Sequence, residues 1–187
     1  MKIIAGQFKG KNFYRPQDIR PTQNVGRKAL FDILGGDLEG LSVLDLFAGS
    51  GAVGLEALSR GAEKVVFVEK DPKCFQVIEK NIELLSVQPN AKRHWPFELN
   101  QADAFAAIKS YAAEKRRFDV IFVDPPYARG LAKKALKTLE AYDILQPNCT
   151  LIIEHEKREI LPAALGRIIL FREKKYGTSV MGFYRVK

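Results

Sequence analysis

Asp124-Pro125-Pro126-Tyr127 sets an acid, two rigid residues and an aromatic ring directly after the apolar run at 120–123. The Asp124 carboxylate and the Pro125 carbonyl are two acceptors. Each proline fixes its own φ and restricts the residue before it, so these acceptors are held rather than sampled. Tyr127 adds a flat face for stacking a base, a contact worth roughly 1–3 kcal/mol in single-strand binders. An exocyclic amino group on a base is a poor nucleophile because its lone pair is delocalised into the ring. Two acceptors on its N–H bonds favour a more pyramidal nitrogen with an available lone pair. The residue types therefore suit attack by such a nitrogen, helped by positioning and electrostatics. Asp124 is placed to take the proton, directly or through water. A base reaches such a site only by leaving its stack.

A second constellation names what is attacked. DLFAGSGAVG carries Asp45, Gly49, Gly51 and Gly54, and Glu69 ends the next apolar run, KVVFVE. Gly49-x-Gly51-x-x-Gly54 matches a dinucleotide fingerprint, which alone is weak, but a strand is expected before it and a helix after it. Glycines let the backbone approach a ligand, and Glu69 suits the two hydroxyls of a ribose. Asp45, four residues before the first glycine, puts negative charge where a pyrophosphate is unwelcome and a sulfonium is welcome. Asp103, in QADAF, offers an acceptor to an adenine amino group. Phe47 in the turn and Ala104 after Asp103 complete the expected contacts, and the ligand these residues favour is S-adenosylmethionine.

The elements that position these groups alternate through the centre of the chain. SVLDLF, KVVFVEKD, a weaker segment near LNQAD, FDVIFV and CTLIIEHE read as strands, separated by helical segments. In PKCFQVIEKNIELLSV, Pro72 suits the first turn of a helix with Phe75, Ile78, Ile82 and Leu85 on one face. This order predicts an α/β fold with a mostly parallel sheet and helices on both faces. RIILFREKKYGTSVMGFYRV leaves no room for a helix and predicts a closing antiparallel hairpin turning near Tyr176 and Gly177. At the other end, IIAG and NFY are expected to pair across QFKGK as a small basic hairpin.

The 187 residues suffice for one well-cored domain with a small appendage, and the net charge of +8 is unevenly placed. Residues 1–28 hold seven basic residues against one acid, and 157–187 hold eight against two, while the middle is net acidic. Basic ends around an acidic body point to a polyanionic partner. Lys9, Lys11, Arg15 and Arg129 are candidate phosphate contacts. No apolar run approaches bilayer length and no signal-peptide core opens the chain, so a soluble cytoplasmic protein is expected, and with no dedicated dimerisation element in the sequence, a monomer. Cys74 and Cys149 have no neighbours at metal-ligand spacing and read as small core residues, so no metal is expected. His94 and Trp95 read as packing under a loop, and Glu154, His155 and Glu156 as the end of a strand.

With these motifs in view, the chain resembles the RsmD family of class I S-adenosylmethionine-dependent methyltransferases, which act on guanine N2 of 16S ribosomal RNA. The resemblance rests on IIAGQFKGK, IRPT, ALFDIL, DLFAGSGAVGLEALSRGA, DPPYARGL, IIEHE and REKKYGTSVMGFYR, along nearly the whole chain. It implies a Rossmann-like fold with a seven-stranded sheet, a basic extension over 1–22 and a transferase domain over 23–187. It also implies the target base at Asp124, Pro125 and Tyr127, and the cofactor at Gly49, Gly51, Glu69 and Asp103. Arg20 and Thr22 then lie near the RNA or cofactor entrance, and the partner is 16S rRNA within the small subunit or an assembly intermediate. The sequence departs from the family at Asn24 and Lys28, where acids are usual, and at Gly26, expected to interrupt the start of a helix. Three other readings stand beside it: a DNA adenine-N6 methyltransferase, for which no separate target-recognition domain is evident; methylation of a protein glutamine amide, whose family generally has Asn in place of Asp124; and a non-catalytic RNA-binding assembly factor, which expects damage to the glycine turn or to DPPY, both intact here.

Overall fold

The computed structural model describes residues 1–15, 24–86, 97–127 and 130–187. They fall into two units, 1–101 and 102–187. In the first, β1 (Ser42–Leu46), β2 (Lys64–Glu69) and β3 (Phe97–Gln101) run parallel in the order β3-β2-β1. Val65, Val66, Phe67 and Val68 are buried, as a central parallel strand requires. β3 is half-buried to exposed, which is why its sequence alternates so weakly.

Three helices accompany these strands: α1 (Asn24–Ile33), α2 (Ala52–Ser59) and α3 (Pro72–Ser86). All eight residues of α2 are buried. Gly26 lies inside the first turn of α1 rather than interrupting it, and Lys28 pairs with Asp32 one turn on at 2.9 Å. The core face of α3 is Cys74, Ile78, Asn81, Ile82 and Leu85, with Phe75 only half-buried at its margin. The expected stripe is thus rotated, and a polar residue occupies its centre.

The second unit carries α4 (Ala104–Ala113), β4 (Phe118–Val123), α5 (Leu131–Ala141), β5 (Leu145–Glu156), β6 (Ala164–Leu165), β7 (Ile168–Tyr176) and β8 (Ser179–Val186). The order is β4-β5-β8-β7-β6, parallel for β4 and β5 and antiparallel from β5 onward. The closing hairpin turns at Gly177, where φ is +51°. Leu151, Ile152 and Ile153 of β5 and Met181 and Phe183 of the paired β8 are core residues, all at most 1% exposed. Seven strands were expected, and the described residues contain eight. The addition is β6, two residues folded back on Ile168 and Ile169, too short to leave a periodic signal.

The N-terminal hairpin is smaller than expected and differently registered. Lys2 bridges Asn12, with Ile3 N–H donating to Lys11 O and Phe13 N–H to Met1 O. Ile4 and Ala5, expected in the pairing, are drawn away by a side chain of α2. Among the described residues no helix is long and apolar enough to cross a membrane.

Candidate active site

Beyond β1 the backbone takes positive φ at Phe47 (61°), Gly49 (58°) and Gly51 (75°), a coil that delivers the chain into α2. Two carboxylates hold it. Glu69 Oε2 accepts from Gly49 N–H at 2.8 Å and Glu69 Oε1 from Asp71 N–H at 2.8 Å. Asp45 Oδ2 accepts from Gly54 N–H at 2.9 Å. Asp45 is only 2% exposed. Burial pushes its carboxyl up to about 8, against the pull of the Gly54 N–H and helped by the charge of Glu69. Gly54 is required by packing: a Cβ there would sit 2.1 Å from the Phe67 ring of β2. The third glycine thus lets helix and strand approach closely.

The turn fits an adenosine-type cofactor. Each Glu69 oxygen accepts one backbone N–H, and a carboxylate oxygen has a second lone pair to offer a ribose hydroxyl. Asp45, expected as a counter-charge, instead braces the turn from within the core. In the second unit Asp103 caps α4, its Oδ1 accepting from Phe105 N–H at 3.0 Å and Ala106 N–H at 3.2 Å. Ala104 behind it is buried and Asp103 itself is exposed.

Asp124 follows β4 directly and is half-buried, Pro125 is buried, Pro126 exposed and Tyr127 half-buried. The Tyr127 hydroxyl donates to Glu154 Oε1 of β5 at 3.1 Å and forms a short hydrogen bond with Ser179 Oγ of β8. Burial pushes the Tyr127 phenol up to about 12, with the Ser179 bond opposing and the charges of Glu154 and Asp124 adding. The phenol therefore stays protonated and remains a donor at neutral pH. Glu154 and Ser179, passed over in the sequence, fix the ring by its edge. The available signal was a charged residue inside the apolar run LIIEHE.

The N-terminal hairpin docks on α2 through a buried carboxylate. Ile4 and Ala5 N–H donate to Glu56 Oε2 and Oε1 at 2.8 and 2.9 Å. Arg60 closes on Glu56 at 3.0 Å and Arg27 lies 3.7 Å from it, with all three side chains at most 7% exposed. Gly6 packs so tightly on α2 that a Cβ would fall 1.8 Å from Ser59 O. Counted with the basic N-terminus in the sequence, Arg27 is instead a buried brace, so the patch carries one fewer charge. Lys9 and Arg15 are exposed, and Lys11 is half-buried with its ammonium 5.2 Å from the Phe8 ring centre. Arg20, Thr22 and Arg129, like His94 and Trp95, lie outside the described residues. Cys74 and Cys149 are buried, which pushes both thiols up to about 12 and suits core residues rather than nucleophiles.

The model of the family described as "Conserved hypothetical protein 95" matches residues 1–185. The putative rRNA methyltransferase YlbH of Bacillus subtilis is 32% identical over 99% of this chain and 98% of its own length. The ribosomal RNA small subunit methyltransferase D of Escherichia coli K12 is 32% identical over 99% of this chain and 89% of its own. Among solved structures, a putative methyltransferase from Escherichia coli, yhhF, is 32% identical with a TM-score of 0.84, covering 100% of this chain and 98% of its own. This likeness identifies the fold as the Rossmann-like class I methyltransferase fold.

Proposed function

This chain belongs to the conserved hypothetical protein 95 family and to the ribosomal RNA small subunit methyltransferase D family, and we propose that it methylates N2 of a guanine in 16S rRNA. The methyl donor is S-adenosylmethionine, which when bound supplies a methyl group on a sulfonium. The observation that carries the reading is the Asp124-to-Tyr127 motif, intact at the end of β4 with its ring anchored to Glu154 and Ser179, in a chain aligned almost end to end with these relatives.

The chain's own residues divide the work. Glu69, Gly49, Gly51 and Phe47 cradle the nucleoside, braced by Asp45 beneath, with Asp103 and Ala104 at the adenine. Tyr127 stacks the flipped guanine, while Asp124 and the Pro125 carbonyl accept from its amino group. With the cofactor bound, the nitrogen lone pair held by Asp124 and the Pro125 carbonyl would take the methyl group, the bonding pair staying on the sulfur it leaves. The proton lost from nitrogen goes to Asp124 or, through it, to water. Residues 1–22 act as a basic extension of the domain at 23–187, with Lys9, Lys11, Arg15, Arg20, Thr22 and Arg129 along the RNA. The enzyme works in the cytoplasm as a monomer on the small subunit or an intermediate of its assembly.

The test is methyl transfer from labelled S-adenosylmethionine to unmodified small subunits, to purified 16S RNA and to DNA. Label in RNA, abolished by Asp124→Ala, is the expected result. Label in DNA alone, or none despite cofactor binding, overturns the reading.

A further inference from the structure

Asn81 is a carboxamide at the centre of the core face of α3, fully buried, with both of its polar atoms hydrogen-bonded. Its Oδ1 accepts from Tyr14 N–H at 2.7 Å, and its Nδ2 donates to Tyr14 O at 3.0 Å and to Ser50 O at 3.1 Å. One side chain thus grips both polar groups of the Tyr14 backbone and the carbonyl of Ser50, which lies between Gly49 and Gly51. The segment leaving the hairpin is thereby registered to the cofactor turn.

The backbone of Tyr14 is fixed, yet its side chain is not part of the core. Phe13 before it is 5% exposed, whereas Tyr14 is 57% exposed and Arg15 after it is also exposed. An aromatic ring facing solvent costs hydrophobic stabilisation that burial would return. A ring held outward on an anchored backbone, next to a cation, has the composition of a stacking platform for single-stranded nucleic acid.

We propose that Tyr14 stacks an unpaired base of the RNA substrate and that Asn81 is the residue positioning it relative to the cofactor turn. This rests on the reading of RNA as substrate. The base concerned is distinct from the target guanine, which is assigned to Tyr127. Because π-faces are common to all bases, the contact adds affinity with little sequence preference.

The experiment compares wild type, Tyr14→Phe, Tyr14→Ala and Asn81→Ala for KM and kcat on 16S RNA substrate, with S-adenosylhomocysteine affinity and thermal unfolding measured alongside. Tyr14→Phe is expected within about twofold of wild type, and Tyr14→Ala to raise KM about tenfold with kcat nearly unchanged. Asn81→Ala, if folded, is expected to raise KM at least as much. Should it unfold, the Tyr14 pair still decides the stacking. Tyr14→Ala within twofold of wild type overturns the platform, and a folded Asn81→Ala with unchanged KM overturns the positioning role. A wild-type enzyme that transfers no methyl to RNA instead defeats the proposed substrate, a separate outcome.

Discussion

The Tyr127 hydroxyl donates to Glu154 Oε1 at 3.1 Å, joining the aromatic end of the motif to β5, the strand paired with β4. Glu154 is 9% exposed, so this bond satisfies a carboxylate largely withdrawn from water. Tyr127→Phe keeps the stacking face and removes the donor. We expect a stability loss of about 1–3 kcal/mol, the cost of leaving a buried polar group short of a partner, with RNA KM changed only a few-fold. Urea unfolding with steady-state kinetics checks this. Unchanged stability would show that the bond is not part of what holds the motif.

Asp124→Asn keeps the size and an acceptor oxygen for the amino group proposed to meet it, but loses the charge and the basicity. The expected outcome is a fall in kcat of about 10²-fold or more, in line with general-base contributions of about 10²–10⁴. Affinity for S-adenosylhomocysteine, measured by calorimetry, should stay within a few-fold. A variant with wild-type kcat would remove Asp124 from the chemical step.

Asp45 ties the pH dependence of stability to the cofactor turn. Its carboxyl rises from an ordinary 3.8 to about 8 in the fold, with burial the main cause. The folded state therefore holds this proton more tightly than the unfolded chain. The stabilisation is full below the unfolded value and is lost as pH rises through about 8. Asp45→Asn retains an acceptor for Gly54 N–H without titrating. Thermal melts without cofactor should show the variant gaining on wild type between about pH 5 and about pH 9. A constant difference across that range contradicts the assignment.

Much of this was legible in the sequence, and particular residues show where legibility stopped. Gly54 was readable because a glycine spaced from Gly49 and Gly51 at a strand-to-helix junction has few other uses, and the Phe67 ring supplies the reason. The closing hairpin was readable because two strand-like runs left no room for a helix. The burial of Arg27 is not legible because charge counts carry no burial, and its partner Glu56 lies 29 positions away. Asn81 was passed over although it sits at the spacing of Cys74, Ile78 and Leu85, where a polar residue in an apolar stripe signals a buried hydrogen-bonding role. Periodicity reports faces. It does not report which backbone groups a side chain on that face will hold.

The basic N-terminus makes a salt prediction. Reversing the charges of Lys9, Lys11 and Arg15 should weaken RNA binding. It should also flatten the slope of log K against log salt by about 2, the value for three contacts at about 0.7 each on single strands. Cofactor affinity should not change, because the hairpin is held on α2 by backbone donors to Glu56 rather than by these three side chains. Fluorescence titrations at several salt concentrations give both numbers. An unchanged slope means these cations do not meet phosphate.

The central claim concerns one atom, N2 of a guanine, and nucleoside analysis addresses it most directly. Unmodified small subunits are incubated with the enzyme and S-adenosylmethionine carrying a labelled methyl group, and the RNA is digested to nucleosides and separated. The account predicts label as N2-methylguanosine, and none with Asp124→Ala. Label on an adenosine, on another guanine position, or equally in the Asp124→Ala sample would contradict it.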